Sequence, residues 1–322
     1  MTARVLLTGG TGYLGRAVLA ELSRRGIEVH ALVRQQPATE APAGVTFHLN
    51  DLLAGIPLEL LAAIRPTHCL HLAWEATPGR YRTAPENHDW AAATVRLART
   101  FFDAGGRHFT LAGSCAEYAL PAAVCDERTT PLAGDCAYAV CKTEAARLVA
   151  AGARACGRSF ANPRIFYVYG QDEPENKLVA SVCRGLIRAE PVALTPCADE
   201  VDYVYRTDVA NALVAIVLTN STGAINVASG KAVRVRDIAL YLGEMAGRTE
   251  LLQFGKLPSQ RKALRLVAAT DRLVNEVSYR PRVTLEEGLR RCFQSWRERL
   301  GRRSAAEGKS GAYALLEEPT RS

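Results

Sequence analysis

Residues 4–34 read RVLLTGGTGYLGRAVLAELSRRGIEVHALVR. A strand-like apolar run leads through a cluster of glycines into a helix-like run, expected from about Tyr13 to Arg25, and a second strand-like run follows. Within TGGTGYLG, Gly10, Gly12 and Gly15 satisfy G-x-G-x-x-G directly after a strand and at the opening of a helix, the context that gives this pattern meaning. Gly9 adds a second register, Gly9-x-x-Gly12-x-x-Gly15. Glycine at the turn permits positive φ, a second lets a pyrophosphate approach the backbone, and a third lets helix and strand pack closely. The helix N-terminus, at Tyr13 and Leu14, then offers free N–H groups and a partial positive charge to a diphosphate. Gly9, Gly12, Tyr13 and Leu14 are therefore the first expected cofactor contacts.

Working outward, strand-like and helix-like segments alternate: EVHALVR, VTFHLN, a helix near Leu58 to Ile64, HCLHLAW, a helix from about Asp89 to Phe102, HFTLAGS, a helix from about Ala137 to Ala155, then FANPRIFYV. Alternating β and α with short connections predicts an α/β fold, a doubly wound parallel sheet of Rossmann type covered by helices on both faces. That domain is expected over residues 1–170. Residues 171–300 are expected mainly to form a smaller C-terminal substrate-binding lobe, with parts near 202–232 returning to the first domain. Residues 301–322 are small, polar and aperiodic, and are expected to be a disordered tail.

The chain has 322 residues, 48% of them hydrophobic, and a formal charge of +7. Its mean hydropathy is −0.04. No apolar run approaches the roughly 18 residues of a membrane span, and the first strand begins at Arg4, so a cytoplasmic protein without membrane attachment is expected. The nine cysteines are scattered, with no Cys-x-x-Cys pair, and read as reduced thiols rather than a metal site. The positive charge is spread along the chain and accompanies no nucleic-acid motif, so it suits the attraction of an anionic small substrate better than nucleic acid.

At the end of the second strand an NAD site carries an Asp or Glu for the ribose 2′-hydroxyl. Here Val33 is followed by Arg34. A guanidinium binds a 2′-phosphate that a carboxylate would repel, which favours NADPH/NADP over NAD. Arg16 is a second candidate for that phosphate. Further on, Tyr138 and Lys142 stand four apart on one helix face, just after a strand that ends in Ser114. In a parallel sheet, the carboxyl ends of the strands present the ligand site.

Gly9/Gly12/Gly15, Ser114 at a strand end and Tyr138-x-x-x-Lys142 together resemble the extended short-chain dehydrogenase/reductase family, many of whose members act on nucleotide-diphosphate sugars. The resemblance runs through most of the first 300 residues: NPRIFYVYG, YVYRTDVANAL with Asp208, INVASG and YRPRVTLEEGL match further segments of the family in the same order. It implies that Tyr138 is the acid/base, that Lys142 also holds the nicotinamide ribose, and that Ala73 meets the cofactor. It further implies a homodimer through the helices around Asp89 to Phe102 and Ala137 to Ala155.

A tyrosine that titrates near ~10 needs a shift of about 3 units, or roughly 4 kcal/mol, to work near neutrality. An ammonium about 4 Å away supplies roughly that at an effective dielectric of ~20. Ser114 is expected to donate a hydrogen bond to the carbonyl oxygen where negative charge grows.

Sugar 4,6-dehydratases of the family carry Asp-Glu directly after the Ser/Thr, whereas Cys115 and Ala116 stand here. Dehydration is thereby disfavoured, and GSCAEY resembles the Gly-Ser-x-x-Glu-Tyr of nucleotide-sugar 4-ketoreductases. An NADPH-dependent 4-ketoreductase acting on a nucleotide-diphosphate sugar is the leading expectation. An NAD-retaining 4-epimerase, a reductase of a non-nucleotide ketone and a catalytically silent NADP-binding regulator are the alternatives.

Trp74, Glu75, Tyr81 and Cys115 are candidate substrate contacts. Where many relatives have Arg-Asp this chain has Val201-Asp202, so Arg206 is the candidate replacement for the diphosphate contact. A family Asn falls at Trp90, with Asn87 one turn earlier.

Overall fold

The computed structural model describes residues 3–120, 122, 124–259 and 262–313, the stretch 303–313 by its backbone alone. The chain begins with β1 (Arg4–Thr8), α1 (Tyr13–Arg24), β2 (Glu28–Val33), β3 (Val45–Leu49), α2 (Leu58–Ile64), β4 (His68–His71), α3 (Glu86–Asp103) and β5 (His108–Leu111). It continues with β6 (Gly113–Ser114), a 3₁₀ turn (Cys115–Glu117), α4 (Ala137–Ala155), β7 (Ser159–Ile165), β8 (Tyr167–Tyr169), α5 (Leu178–Arg188), β9 (Val192–Leu194), β10 (Glu200–Tyr205), α6 (Arg206–Thr219) and β11 (Gly223–Val227). Last come β12 (Ala232–Arg234), α7 (Val235–Ala246), β13 (Leu252–Phe254), β14 (Arg265–Leu266), α8 (Asp271–Asn275) and α9 (Leu285–Tyr313).

The central sheet runs β3-β2-β1-β4-β5-β7-β11, every neighbour parallel. Parallel strands need both faces covered, and the side-chain alternation provides for it. On β1, Val5 and Leu7 point to one helical layer, with Val18, Leu19 and Leu22 of α1 and Val209, Leu213 and Val217 of α6. Leu6 between them points to the other layer, with Leu61 of α2, Leu97 and Phe101 of α3 and Ala145 and Val149 of α4. The strand order reverses direction between β1 and β4, and ligands of open α/β sheets bind at such a point. β6 continues beyond β5 and pairs with β7, Ser114 opposite Ile165.

Two compact units emerge. The first spans the described chain up to Tyr169, with Ala198–Arg234 and Ala263–Leu285. Its last segment is tied in by Asp208, whose carboxylate accepts hydrogen bonds from the Tyr279 hydroxyl at 2.8 Å and the Val283 N–H at 2.9 Å. That return of 263–285 is an addition to the segments anticipated from sequence. The second unit holds Gly170–Cys197, Val235–Lys262 and the chain from Glu286 onward. In it β9 pairs with β13, and Leu186, Ile238 and Leu242 are fully buried.

The expected tail is corrected in part: the backbone stays helical through Tyr313 as the continuation of α9. The 301–313 segment contains no proline and only Gly301, Gly308 and Gly311 as helix-weakening residues, so nothing in it breaks the α9 turn. Residues 314–322 lie outside the described residues.

Candidate active site

The turn after β1 is built by close contact. Gly9 has φ +71°, and a Cβ there would stand 2.7 Å from the Ala73 nitrogen at the end of β4; at Gly15 a Cβ would stand 2.0 Å from the Gly9 carbonyl oxygen. No side chain fits at either place. Gly12 is the N-cap of α1, with no side-chain cap and no acidic residue in the first turn. No capping side chain and no acidic residue of the first turn therefore competes for the N–H groups at the start of α1, as an anion site requires.

A cavity of about 840 Å³ opens beside this turn, lined by Gly10, Thr11, Arg16, Arg34, Gln35, Glu40, Phe47 and Asp51 among others. Arg16 also donates to the Thr11 carbonyl at 3.0 Å. Glycines packed against backbone, an uncapped helix start and a cavity with two guanidinium groups fit a nicotinamide dinucleotide. Gly9, Gly12, Tyr13, Leu14, Arg34 and Ala73 would hold it.

Ser114, Tyr138 and Lys142 gather at the carboxyl end of β5 and β6. The Ser114 hydroxyl accepts from the Ala116 N–H at 3.2 Å, and its own N–H donates to Glu117 Oε1 at 2.6 Å. Tyr138, half-buried at the start of α4, packs edge-on against Tyr81 with centroids 4.9 Å apart, and against Trp74 at 6.4 Å. Burial raises its phenol pKa, and a hydrogen bond with Ser114 pulls the other way. Lys142 is buried; its Nζ donates to the Ala112 carbonyl at 2.8 Å and lies 4.1 Å over the Trp74 ring. Burial pushes its pKa down to about 8, with the Glu117 charge acting upward. Lys142 is not among the leading influences on the phenol. The ammonium sits 5.5 Å from the Tyr138 centroid, engaged by Ala112 and Trp74, and burial dominates the phenol.

The rim candidates take distinct places. Trp74 donates through Nε1 to Asn87 Oδ1 at 2.7 Å, while Asn87 Nδ2 donates to the Tyr81 and Ala84 carbonyls, both at 2.8 Å. Asn87 thus organises the 74–84 loop, and Trp90 is buried behind it, stacked with Trp74. Glu75 accepts from the Thr77 N–H and from Arg80, each at 2.8 Å; the Thr77 hydrogen bonds lead in holding its carboxyl low, with Arg80 and Arg34 adding to them. Cys115 is buried, its thiol pushed up to about 12 by burial. The Arg206 guanidinium lies 5.1 Å over the Tyr13 ring, beside the glycine turn. Val201 is only 1% exposed and forms core. Its neighbour Asp202 accepts from the Ser229 and Gly230 N–H groups at 2.7 and 2.8 Å.

A model of the NAD dependent epimerase/dehydratase family matches residues 5–228. The chain belongs to that family. A dTDP-6-deoxy-L-talose 4-dehydrogenase (NAD(P)(+)) from Kitasatospora kifunensis is 28% identical, over 90% of this chain and 95% of that protein. A UDP-glucose 4-epimerase from Azospirillum brasilense is 24% identical, over 97% of each. Among solved structures, MoeE5 in complex with UDP-glucose and NAD superposes with a TM-score of 0.78 at 25% identity, over 92% of this chain and 100% of that one.

Against that family background, three residues at the centre do not stand out from the sequence alone. Glu117 is fully buried and Arg164, on β7, nearly so, with Glu117 Oε2 3.7 Å from Arg164 Nε. GSCAEY carried the signal, since a Glu three residues after Ser114 can turn back onto that residue's N–H as in a capping box. Another is His71, held between the hydroxyls of Thr8 at 2.6 Å and Thr94 at 2.8 Å. Burial lowers its pKa to about 3, so it is a neutral strut at the end of β4.

Proposed function

We propose that this enzyme reduces a nucleotide-diphosphate 4-keto-6-deoxy sugar to the 4-hydroxy sugar with NADPH. The observation that carries the reading is Arg34, which directly follows β2 and lines the same cavity as Arg16 and the glycine turn. A 2′-phosphate there meets a planar bidentate donor. The similarity to a 4-dehydrogenase named for both NAD and NADP supports it, since oxidation at C4 of a 6-deoxy sugar is this reaction run backwards.

The bound cofactor supplies the hydride. Ser114 donates a hydrogen bond to the carbonyl oxygen as charge develops on it. Tyr138, kept protonated by its burial, gives that oxygen a proton. Lys142, on the same face of α4, offsets the charge left on the phenol. Trp74 and Tyr81 wall the reacting centre and exclude water. Elimination of water has no second acid/base here: Cys115 and Ala116 follow Ser114, and Glu117 is fully buried behind it, occupied by the Ser114 N–H.

The same reading takes the enzyme as a cytoplasmic homodimer joined through α3 and α4, where Val140 and Leu148 are 47% and 58% exposed. No helix among the described residues is long and apolar enough to cross a membrane.

A retained-NAD 4-epimerase is the second reading, favoured by the similarity to a UDP-glucose 4-epimerase. The deciding assay offers NADPH with dTDP-, CDP-, GDP- and UDP-linked 4-keto-6-deoxy sugars. Stoichiometric consumption of NADPH with one of them supports the reductase. Interconversion of 4-hydroxy sugars without added cofactor supports the epimerase.

A further inference from the structure

Glu117 and Lys142 grip one three-residue segment from its two ends. Lys142 Nζ holds the Ala112 carbonyl at 2.8 Å, and Glu117 Oε1 holds the Ser114 N–H at 2.6 Å. The second oxygen of Glu117 makes no hydrogen bond, and neither do Nε and Nη1 of Arg164, which faces it 3.7 Å away from β7. Arg164 instead lays its guanidinium 4.7 Å over the Tyr118 ring.

The buried charges against this segment are thus two cations, Lys142 and Arg164, and the Glu117 carboxylate, with the buried Asp202 acting on Cys115. Of the other titratable groups around them, Tyr118 and Cys125 beside Arg164 are pushed up by burial, Glu127 acts on Tyr118 and Asp202 on Cys115, and burial raises both of those carboxyls. Tyr138 on α4 and Cys115 beside Ser114 are both pushed up by burial, and His71 on β4 is neutral. If Glu117 lost its charge, both cations would lose the carboxylate that interacts with each of them. A guanidinium does not give up its proton in a protein, whereas an ammonium does. The strain would fall on Lys142.

We propose that Glu117 is a positioning residue of the reaction centre: its carboxylate fixes Ser114 through the backbone N–H and keeps Lys142 in its charged form. This rests on the reading of Ser114, Tyr138 and Lys142 as the reacting group. It gives a fully buried carboxylate a task that requires its charge, which a space-filling role would not. The pair influence each other in opposite directions: burial drives Lys142 downward and Glu117 acts upward on it, while burial drives Glu117 upward and Arg164, the Ser114 N–H and Lys142 act downward on it.

The test is a titration of ¹³Cε-labelled lysine by NMR, practicable because the chain has six lysines, with Lys142 assigned through Lys142→Arg. In Glu117→Gln the Lys142 midpoint is expected to fall by about one pH unit or more, while the other lysines stay put. Glu117→Asp, which keeps the charge, is expected to hold the midpoint near the wild-type value. In the reductase assay the alkaline limb of kcat/KM is expected to move to lower pH by the same amount in Glu117→Gln. An unchanged midpoint in Glu117→Gln overturns the proposal, and so does an equal fall in Glu117→Asp. Should Glu117→Gln fail to fold, the wild type decides alone: a Lys142 midpoint below about 7 overturns it, and one at or above that value supports it. A midpoint that falls as expected in an enzyme that reduces no keto sugar leaves this assignment standing and removes the functional reading instead.

Discussion

Lys142 Nζ donates to the carbonyl oxygen of Ala112 at 2.8 Å, which ties the middle of α4 to the end of β5. The bond holds the ammonium on the Trp74 face, one helical turn from Tyr138. With the phenol raised and Lys142 near 8, reduction is expected to proceed undiminished through neutral pH and decline above about 8 as the ammonium loses its proton. Tyr138→Phe is expected to lower kcat by about 10²-fold or more with NADPH binding nearly intact. Lys142→Met is expected to damage both. Steady-state rates and a fluorescence titration of NADPH check this, and near wild-type turnover in Tyr138→Phe would remove it from its role.

Arg34 tests cofactor choice. Arg34→Asp places a carboxylate where a 2′-phosphate is proposed to sit and offers it to a free ribose hydroxyl instead. The ratio of kcat/KM for NADPH over NADH is expected to fall below one. If the ratio holds, the phosphate contact belongs to Arg16 on the same cavity wall, and Arg16→Ala then carries the loss.

Gly15 tests the diphosphate turn. A methyl group there would meet the Gly9 carbonyl oxygen at 2.0 Å, and the obstacle is backbone, which cannot rotate away. Gly15→Ala is expected to cost about 1–3 kcal/mol by denaturant titration. It is also expected to weaken NADPH binding at least about tenfold, since the turn must open to admit the methyl. Unchanged affinity would place the diphosphate elsewhere.

Glu173 tests the second unit independently of the chemistry. It is 3% exposed and accepts the Ala180 N–H near the start of α5 at 2.7 Å. Burial raises its pKa from 4.5 to about 7. A carboxyl raised on folding contributes its stability below the unfolded value and loses it as pH climbs through the folded one. Glu173→Gln is therefore expected to stabilise the protein by roughly 3 kcal/mol at pH 8 and by little near pH 4.5. Urea midpoints at the two pH values measure it.

The parallel sheet and its helices were legible because each element carries its own period: Val5, Leu6 and Leu7 alternate between the two layers, and Val18, Leu19 and Leu22 share a helix face. The glycine turn was legible because its constraint is local. What the residue order did not disclose depends on contacts far along the chain. Lys142 finds Ala112 thirty residues away, and Arg206 stacks on Tyr13, almost two hundred residues away, rather than at the place Val201 leaves bare. In the residue order Asn87 stands merely one turn before Trp90, whereas its work is to bind Trp74 and two loop carbonyls. The continuation of α9 through polar residues is a backbone outcome that no apolar period announces.

Each turnover is proposed to reduce a 4-keto sugar with a fresh NADPH. NADPH carrying deuterium at its transferable C4 position, mixed with the 4-keto-6-deoxy sugar nucleotide that is turned over, measures this directly. Stoichiometric loss of reduced cofactor is expected, with one deuterium at C4 of the product sugar for each NADPH consumed. Equilibration of two 4-hydroxy sugars with no NADPH consumed and no deuterium incorporated would contradict it.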